Sequence, residues 1–276
     1  MRTKTVHLES QPENGLHIIH LFPKDAIAAG VAPSLSEHVI DDMEAAMDKV
    51  AQAADEDEQL THLIFKSDAP VFCLGGDLAT MVRCARDKNH AELTDYILKG
   101  CRYGYRIHGH LHPRVHSIAV VAGAALGGGF EVALGCETLI AEKGVKFGLP
   151  EVMFGSFAGV GAYSFLSRLV GETIAGRMMV SGKTYLSEQL CQMGVLDDLA
   201  EKGGGLEMAL KLAADQRLGG STFMAMKKVK ARLNPVSFDE LQDIALIWVD
   251  TVMHLPEHQL VKMETLIKAQ LRRVKS

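Results

Sequence analysis

The sequence predicts an α/β domain that ends in a helical region. Three observations carry this. Short apolar runs, Leu63-Ile64-Phe65 and Ile118-Ala119-Val120-Val121-Ala122, read as buried strands. Each is followed by a glycine turn and a helical pattern, the alternation expected of α/β architecture. Beyond residue 205 the pattern is helical throughout, broken only at Gly219-Gly220 and Asn234-Pro235.

Taken in order, residues 4–9 and 15–22 alternate as a hairpin around Pro12-Glu13-Asn14-Gly15. Val39, Ile40, Met43, Ala46, Met47 and Val50 recur at helical spacing, which predicts a helix over 36–54. The acidic stretch Asp55-Glu56-Asp57-Glu58 reads as a solvated loop. A strand is expected at Leu60–Lys66, one or two helices over 78–112, and a strand at 115–122. Leu139–Glu142 and Val145–Phe147 read as short strands around the Lys143-Gly144 turn. Helices are expected over 160–170, 172–181 and 187–193, and a short strand at Val195–Leu199. The last segments, 205–217, 221–232 and 237–273, are expected to be helical. The domain division read here is a core at 1–218 and a helical region at 219–276.

Composition narrows the function. The chain has 276 residues, of which 47% are hydrophobic, enough for one large core. Net charge is −5, and Lys227-Lys228-Val229-Lys230-Ala231-Arg232 is the longest basic cluster, which argues against a nucleic-acid binder. That cluster reads as a solvated helix face, with coenzyme phosphates or an acidic carrier surface as the alternative. Cys73, Cys84, Cys101, Cys136 and Cys191 are odd in number and lack C-x-x-C spacing, so they read as free thiols of a reducing compartment. The first ten residues lack the apolar centre of a signal peptide, and no uncharged run approaches the roughly 20 residues of a membrane span. A cytoplasmic protein is expected.

The candidate chemistry centres on Gly127-Gly128-Gly129-Phe130-Glu131. Glycines expose backbone N–H groups to a ligand, and a helix start favours negative charge. A second glycine turn, Gly75-Gly76-Asp77-Leu78, also follows a strand and precedes a helix. Two such turns can each give one N–H to a single oxygen, beside the carboxylates Glu131 and Glu151.

Phe72, Gly75-Gly76-Asp77-Leu78, Ala125-Leu126-Gly127-Gly128-Gly129-Phe130-Glu131 and Gly148-Leu149-Pro150-Glu151, in that order, resemble the crotonase (enoyl-CoA hydratase/isomerase) superfamily. The two-glutamate spacing matches its hydratase branch. Further motifs resemble the bacterial diffusible-signal-factor synthases: Gly161–Phe165, Tyr185–Gly194, Ile247–Met253 and Ala269–Arg273. The resemblance implies a spiral of ββα units with C-terminal helices that assemble trimers or hexamers. It implies Gly76 and Gly128 as oxyanion donors and Glu131 and Glu151 as acid and base. It further implies dehydration of a 3-hydroxyacyl-carrier protein or coenzyme A thioester to a cis-2-enoyl product, followed by hydrolysis to the free acid. A sensor kinase is an implied partner. No cofactor is expected.

The remaining candidates are binding residues. Cys73, Gly75 and Gly127 flank the glycine turns, and Met153, Phe154 and Phe157 follow Glu151 as a candidate acyl pocket, with Val160, Tyr163 and Phe165 continuing the apolar run. Gly155-Ser156-Phe157-Ala158 is smaller and more polar than the equivalent segment of the signal synthases, which leaves acyl length open. Trp248 sits on a helical stripe with Ile244, Ile247 and Thr251, as a packed residue, a lid over the acyl tunnel or part of a protomer interface.

His108, His112 and His116 have i, i+4 spacing, but Pro113 interrupts the run and no metal site is expected. There is no P-loop or dinucleotide fingerprint, and Gly155–Gly159 carries Phe157 where a nucleophile elbow needs serine. Two other readings stand beside the signal synthase: an ordinary enoyl-CoA hydratase, and a partner-restraining module with vestigial catalysis.

Overall fold

The computed structural model describes residues 3–275, with side chains through Ala269. β1 (Val6–Gln11) and β2 (Leu16–Leu21) form the expected antiparallel hairpin, joined by the 3-10 turn Pro12–Asn14. α1 (Lys24–Ala28) leads to α2 (Glu37–Glu56), which Ser36 caps by accepting from the Val39 N–H. The helix buries the face read from its spacing. β3 (Thr61–Ser67) is followed by α3 (Leu78–Asp87) and α4 (His90–Tyr105), and β4 (Val115–Val121) by β5 (Ala125–Leu126) and α5 (Gly128–Gly135). Then come β6 (Thr138–Glu142), β7 (Lys146–Gly148), α6 (Ala162–Val170), α7 (Glu172–Ser181), β8 (Thr184–Leu186), α8 (Ser187–Gln192) and β9 (Asp198–Ala200). α9 (Gly205–Leu218), α10 (Gly220–Leu233), α11 (Phe238–Met253) and α12 (Glu257–Lys275) complete the chain.

The large sheet has the order β1-β2-β3-β4-β6-β9, parallel throughout except for the β1 hairpin. Both faces are covered, which is why its strands are continuous apolar runs. Ile19, Leu21, Leu63, Phe65, Ala119, Val121, Leu139 and Ala141 face the main core. The alternate residues Ile18, Ile64, Ile118, Val120 and Ile140 pack with Ala209 and Ala213 of α9 on the other face. A small second sheet, β5-β7-β8, stands apart.

The short strands expected either side of Lys143-Gly144 are β6 and β7, and they enter different sheets: β6 pairs with β4 and β9, and β7 with β5 and β8. Three expectations need correction. The strand expected at 195–199 pairs only at Asp198–Ala200. The helical stretch 237–273 is two helices, because Pro256 lacks the N–H that would continue α11. The histidines share no helix: the chain turns at His108 and Gly109 (φ +84°), and His116 lies on β4.

Each histidine of that group has another partner: His108 Nδ1 meets the Gly135 carbonyl, His112 Nε2 lies 3.2 Å from Asp55 Oδ1, and His116 Nε2 meets Thr138 Oγ1. The neighbouring His110 stacks on Tyr105. Lys227, in the basic cluster, is not solvated: its ammonium bonds Glu137 at 2.8 Å and the Val115 carbonyl, tying α10 to β4. Asp57, from the acidic loop, pairs with Arg217 of α9 at 3.0 Å. Among the described residues no helix is long and apolar enough to cross a membrane.

Candidate active site

The two glycine turns meet at the C-terminal ends of β3 and β4. The first is bound to the segment before α2: Leu74 N–H donates to Pro33 O (2.8 Å), and Leu35 N–H to Gly75 O (2.8 Å). It is bound to the second turn through Leu126 N–H, which donates to Cys73 O (3.0 Å). Asp77 then caps α3, accepting from Ala79 and Thr80. Because a peptide unit is planar and trans, the Leu35 bond to Gly75 O turns the Gly76 N–H to the opposite side. Gly128 opens α5, so its N–H has no intrahelical acceptor. A Cβ placed on Gly128 would lie 3.2 Å from the Gly76 nitrogen, so the two amides are close neighbours on one cavity wall.

Close approach explains the triplet. Gly127 has φ +52°, and a side chain there would strike the Glu151 carboxylate. A side chain on Gly129 would strike Cys73.

Glu131 lies in the first turn of α5 and is buried. Its Oε1 accepts from the backbone N–H groups of Val160 (2.7 Å) and Ala162 (3.0 Å). Burial pushes its carboxyl up to about 7, with the backbone N–H groups of residues 160–162 pulling the other way. Glu151 sits in the 3-10 turn Pro150–Phe154, which Gly155 closes in a left-handed conformation. Its Oε2 is buried with no hydrogen-bond partner among the described residues. Burial, with the Glu131 charge added, pushes Glu151 up to about 8. The environments differ in kind: Glu131 is set among donors that favour an anion, and Glu151 has none at Oε2.

Both carboxylates open onto one cavity of about 460 Å³. It also takes in Gly75, Gly76, Gly127, Gly128, Met153, Phe154, Phe157 and Trp248, which the sequence had singled out. Trp248 is buried on α11 and packs against Gly159, where a Cβ would lie 2.5 Å from its ring. Met153 is 65% exposed, so it stands at the rim.

Cys73 does not reach the cavity and is a correction. Its thiol is fully buried, lies 3.8 Å from the Gly75 carbonyl, and is pushed up to about 12 by burial, so it packs beneath the triplet. Of the continuing apolar run only Val160 lines the cavity; Phe165 is in the core and Tyr163 is 38% exposed.

Sequence reasoning missed Leu35, Met81, Tyr96 and Lys262, all of which line the cavity. Tyr96 lies in α4 among Leu93, Ile97 and Cys101, where the helical spacing looks like core. Lys262, on α12, is the only cation among the described lining residues. The side chains of residues 270–273, the end of the last resemblance motif, lie outside the described residues.

A family model described as enoyl-CoA hydratase/isomerase matches residues 30–267. The chain belongs to this family. It is similar to the 2,3-dehydroadipyl-CoA hydratase of Escherichia coli (strain K12), 35% identical over 129 residues. That match takes in 47% of this chain and spans about half (48%) of the relative. Among solved structures, an enoyl-CoA hydratase/isomerase from Xanthobacter autotrophicus Py2 superposes with a TM-score of 0.72 at 22% identity, covering 98% of this chain and 95% of that one. DspI from Pseudomonas aeruginosa superposes with a TM-score of 0.63 at 21% identity, covering 84% and 82%. These likenesses establish the crotonase-like α/β fold.

Proposed function

We propose that the protein adds water to, and removes it from, acyl thioesters at the 2,3-position. We propose further that its product is a free cis-2-unsaturated fatty acid, made from a 3-hydroxyacyl-carrier protein or coenzyme A thioester. The observation that supports the first statement is the asymmetric glutamate pair in one cavity with Gly76 and Gly128. The second rests on the signal-synthase motifs, together with an apolar cavity suited to an acyl chain.

In hydration the ionised Glu131 takes a proton from the attacking water as its oxygen bonds C3. Glu151, protonated, delivers its proton to C2. Between these events the thioester oxygen carries enolate charge, held by the N–H groups of Gly76 and Gly128. Dehydration is the reverse: Glu151 removes the C2 proton, and Glu131 protonates the departing hydroxyl. One proton is shared between the two carboxyls, and no cofactor enters the balance. Hydrolysis would use the same oxyanion site, with a carboxylate activating water against the carbonyl carbon.

The test is product analysis by mass spectrometry with 3-hydroxydodecanoyl-carrier protein and, separately, its coenzyme A ester. Free cis-2-enoic acid from the carrier substrate, abolished in Glu131→Ala and Glu151→Ala, is the expected result. Enoyl-CoA that remains esterified would make the protein an ordinary enoyl-CoA hydratase, the reading favoured by the name of the curated relative. No turnover of either substrate would overturn both statements and favour a partner-restraining role.

A further inference from the structure

We propose that Tyr96 is the positioning residue of the oxyanion turn, and that its hydroxyl fixes the direction of the Gly76 N–H. This rests on the proposed role of the Gly76 and Gly128 amides. The turn is soft by construction, with Gly75 at φ +108° followed by a second glycine. Two peptide planes flank the Gly76 Cα, and both are tied to Leu35. The first is held directly, by Leu35 N–H donating to Gly75 O at 2.8 Å. The second is held through Tyr96: Asp77 N–H donates to the phenol oxygen at 2.8 Å, and the phenol donates to Leu35 O at 2.7 Å. The hydroxyl therefore stands where a backbone carbonyl would complete a strand pairing between Leu35 and Gly76. With both planes tied, rotation about the φ and ψ of Gly76 is restricted.

Tyr96 is suited to the task. It projects from α4, is 6% exposed, and its ring forms part of the cavity wall. Burial holds the phenol well above its usual range, so it stays a donor. Its oxygen would lie 3.1 Å from a Cβ at Gly76, so it braces the turn from behind. An oxyanion donor stabilises the transition state only when aimed at the developing charge, so a loosened turn costs rate more than binding.

Tyr96→Phe removes the oxygen and keeps the ring. With a trans-2-enoyl-CoA as substrate, we expect kcat to fall by about 10- to 100-fold, less than the 10²–10³ of deleting a donor outright. KM should stay within about two-fold. A second measurement reads polarisation itself: the absorption band of bound cinnamoyl-CoA should shift to the red in the wild-type protein and lose most of that shift in Tyr96→Phe. The shift is read per bound probe, so it does not depend on the fraction folded.

Two controls separate the causes. Glu131→Gln should lose turnover but keep the red shift. Thr5→Val, which deletes a buried hydroxyl bonded to Asp42 at 2.7 Å, should keep wild-type kcat. Wild-type kcat and a full red shift in Tyr96→Phe would overturn the positioning role while leaving the site reading intact. A wild-type protein with neither turnover nor red shift would overturn the site reading, and the positioning role with it.

Discussion

Glu131 and Glu151 differ from each other in what faces the carboxyl: Glu131 Oε1 accepts from the Val160 and Ala162 N–H groups, and Glu151 Oε2 has no partner among the described residues. Both are raised above the ordinary carboxylate range, to about 7 and about 8, and they titrate as a pair. Hydration needs Glu131 ionised and Glu151 protonated. The rate should therefore fall below about pH 7 as the base takes up a proton, and above about pH 8 as the acid loses one. A kcat/KM profile with that narrow optimum is the expected outcome, and a plateau down to pH 5 would contradict it. Stability should respond with a definite sign. A carboxyl raised on folding binds its proton more tightly in the native than in the unfolded chain, so the folded state loses stability as pH rises from about 4.5 to 8. Glu151→Gln lacks that proton and its penalty. The variant should melt above wild type at pH 8, and the gap should close near pH 4.5. Calorimetry at the two pH values checks this.

At the level of elements, much of the cavity wall comes from helices that carry neither glutamate. α4 supplies Tyr96, Ile97 and Gly100, α11 supplies Trp248, and α12 closes the mouth with Lys262, Thr265, Leu266 and Ala269. α12 is laid along α3, where Arg86 pairs with Glu257 (2.5 Å) and Glu264 (2.6 Å). Those pairs are exposed and screened by water, so packing rather than charge seats the helix. Trp248 and Gly159 are in close contact in the wall. Gly159→Ala would place a Cβ 2.5 Å from the indole, an overpacking that costs about 1–3 kcal/mol. Displaced into the cavity, the indole should also shorten the longest acyl chain turned over. Thermal melting together with a chain-length series checks both; wild-type values for each would show that the wall gives way freely.

Over the whole molecule, what the sequence made legible was whatever a short window contains. The strands β3 and β4, the face of α2, both glycine turns and the two glutamates are local patterns, and the structure holds each where its pattern put it. The unread parts are long-range. Nothing near residue 35 signals that its backbone would brace a turn at residue 76, and the three residues of β8 have no apolar run of their own. Cys73 failed as a binding residue because sequence adjacency to the glycines says nothing about which side of the turn a thiol takes. The same two-sided sheet explains why stability and chemistry can be separated. α9 packs Ala209 and Ala213 against Ile64, Ile118 and Ile140, on the opposite face from the core that carries the cavity. Ala209 is fully buried, so Ala209→Leu has no space to fill and must push α9 outward, at about 1–3 kcal/mol. The turn at 75–77 and the start of α5 at 127–131 follow β3 and β5 and do not hang from α9. The variant should therefore melt earlier in denaturant with kcat unchanged at a temperature where it is folded. A fall in kcat without a fall in the denaturation midpoint would mean that the two faces of the sheet are coupled through β3 and β4.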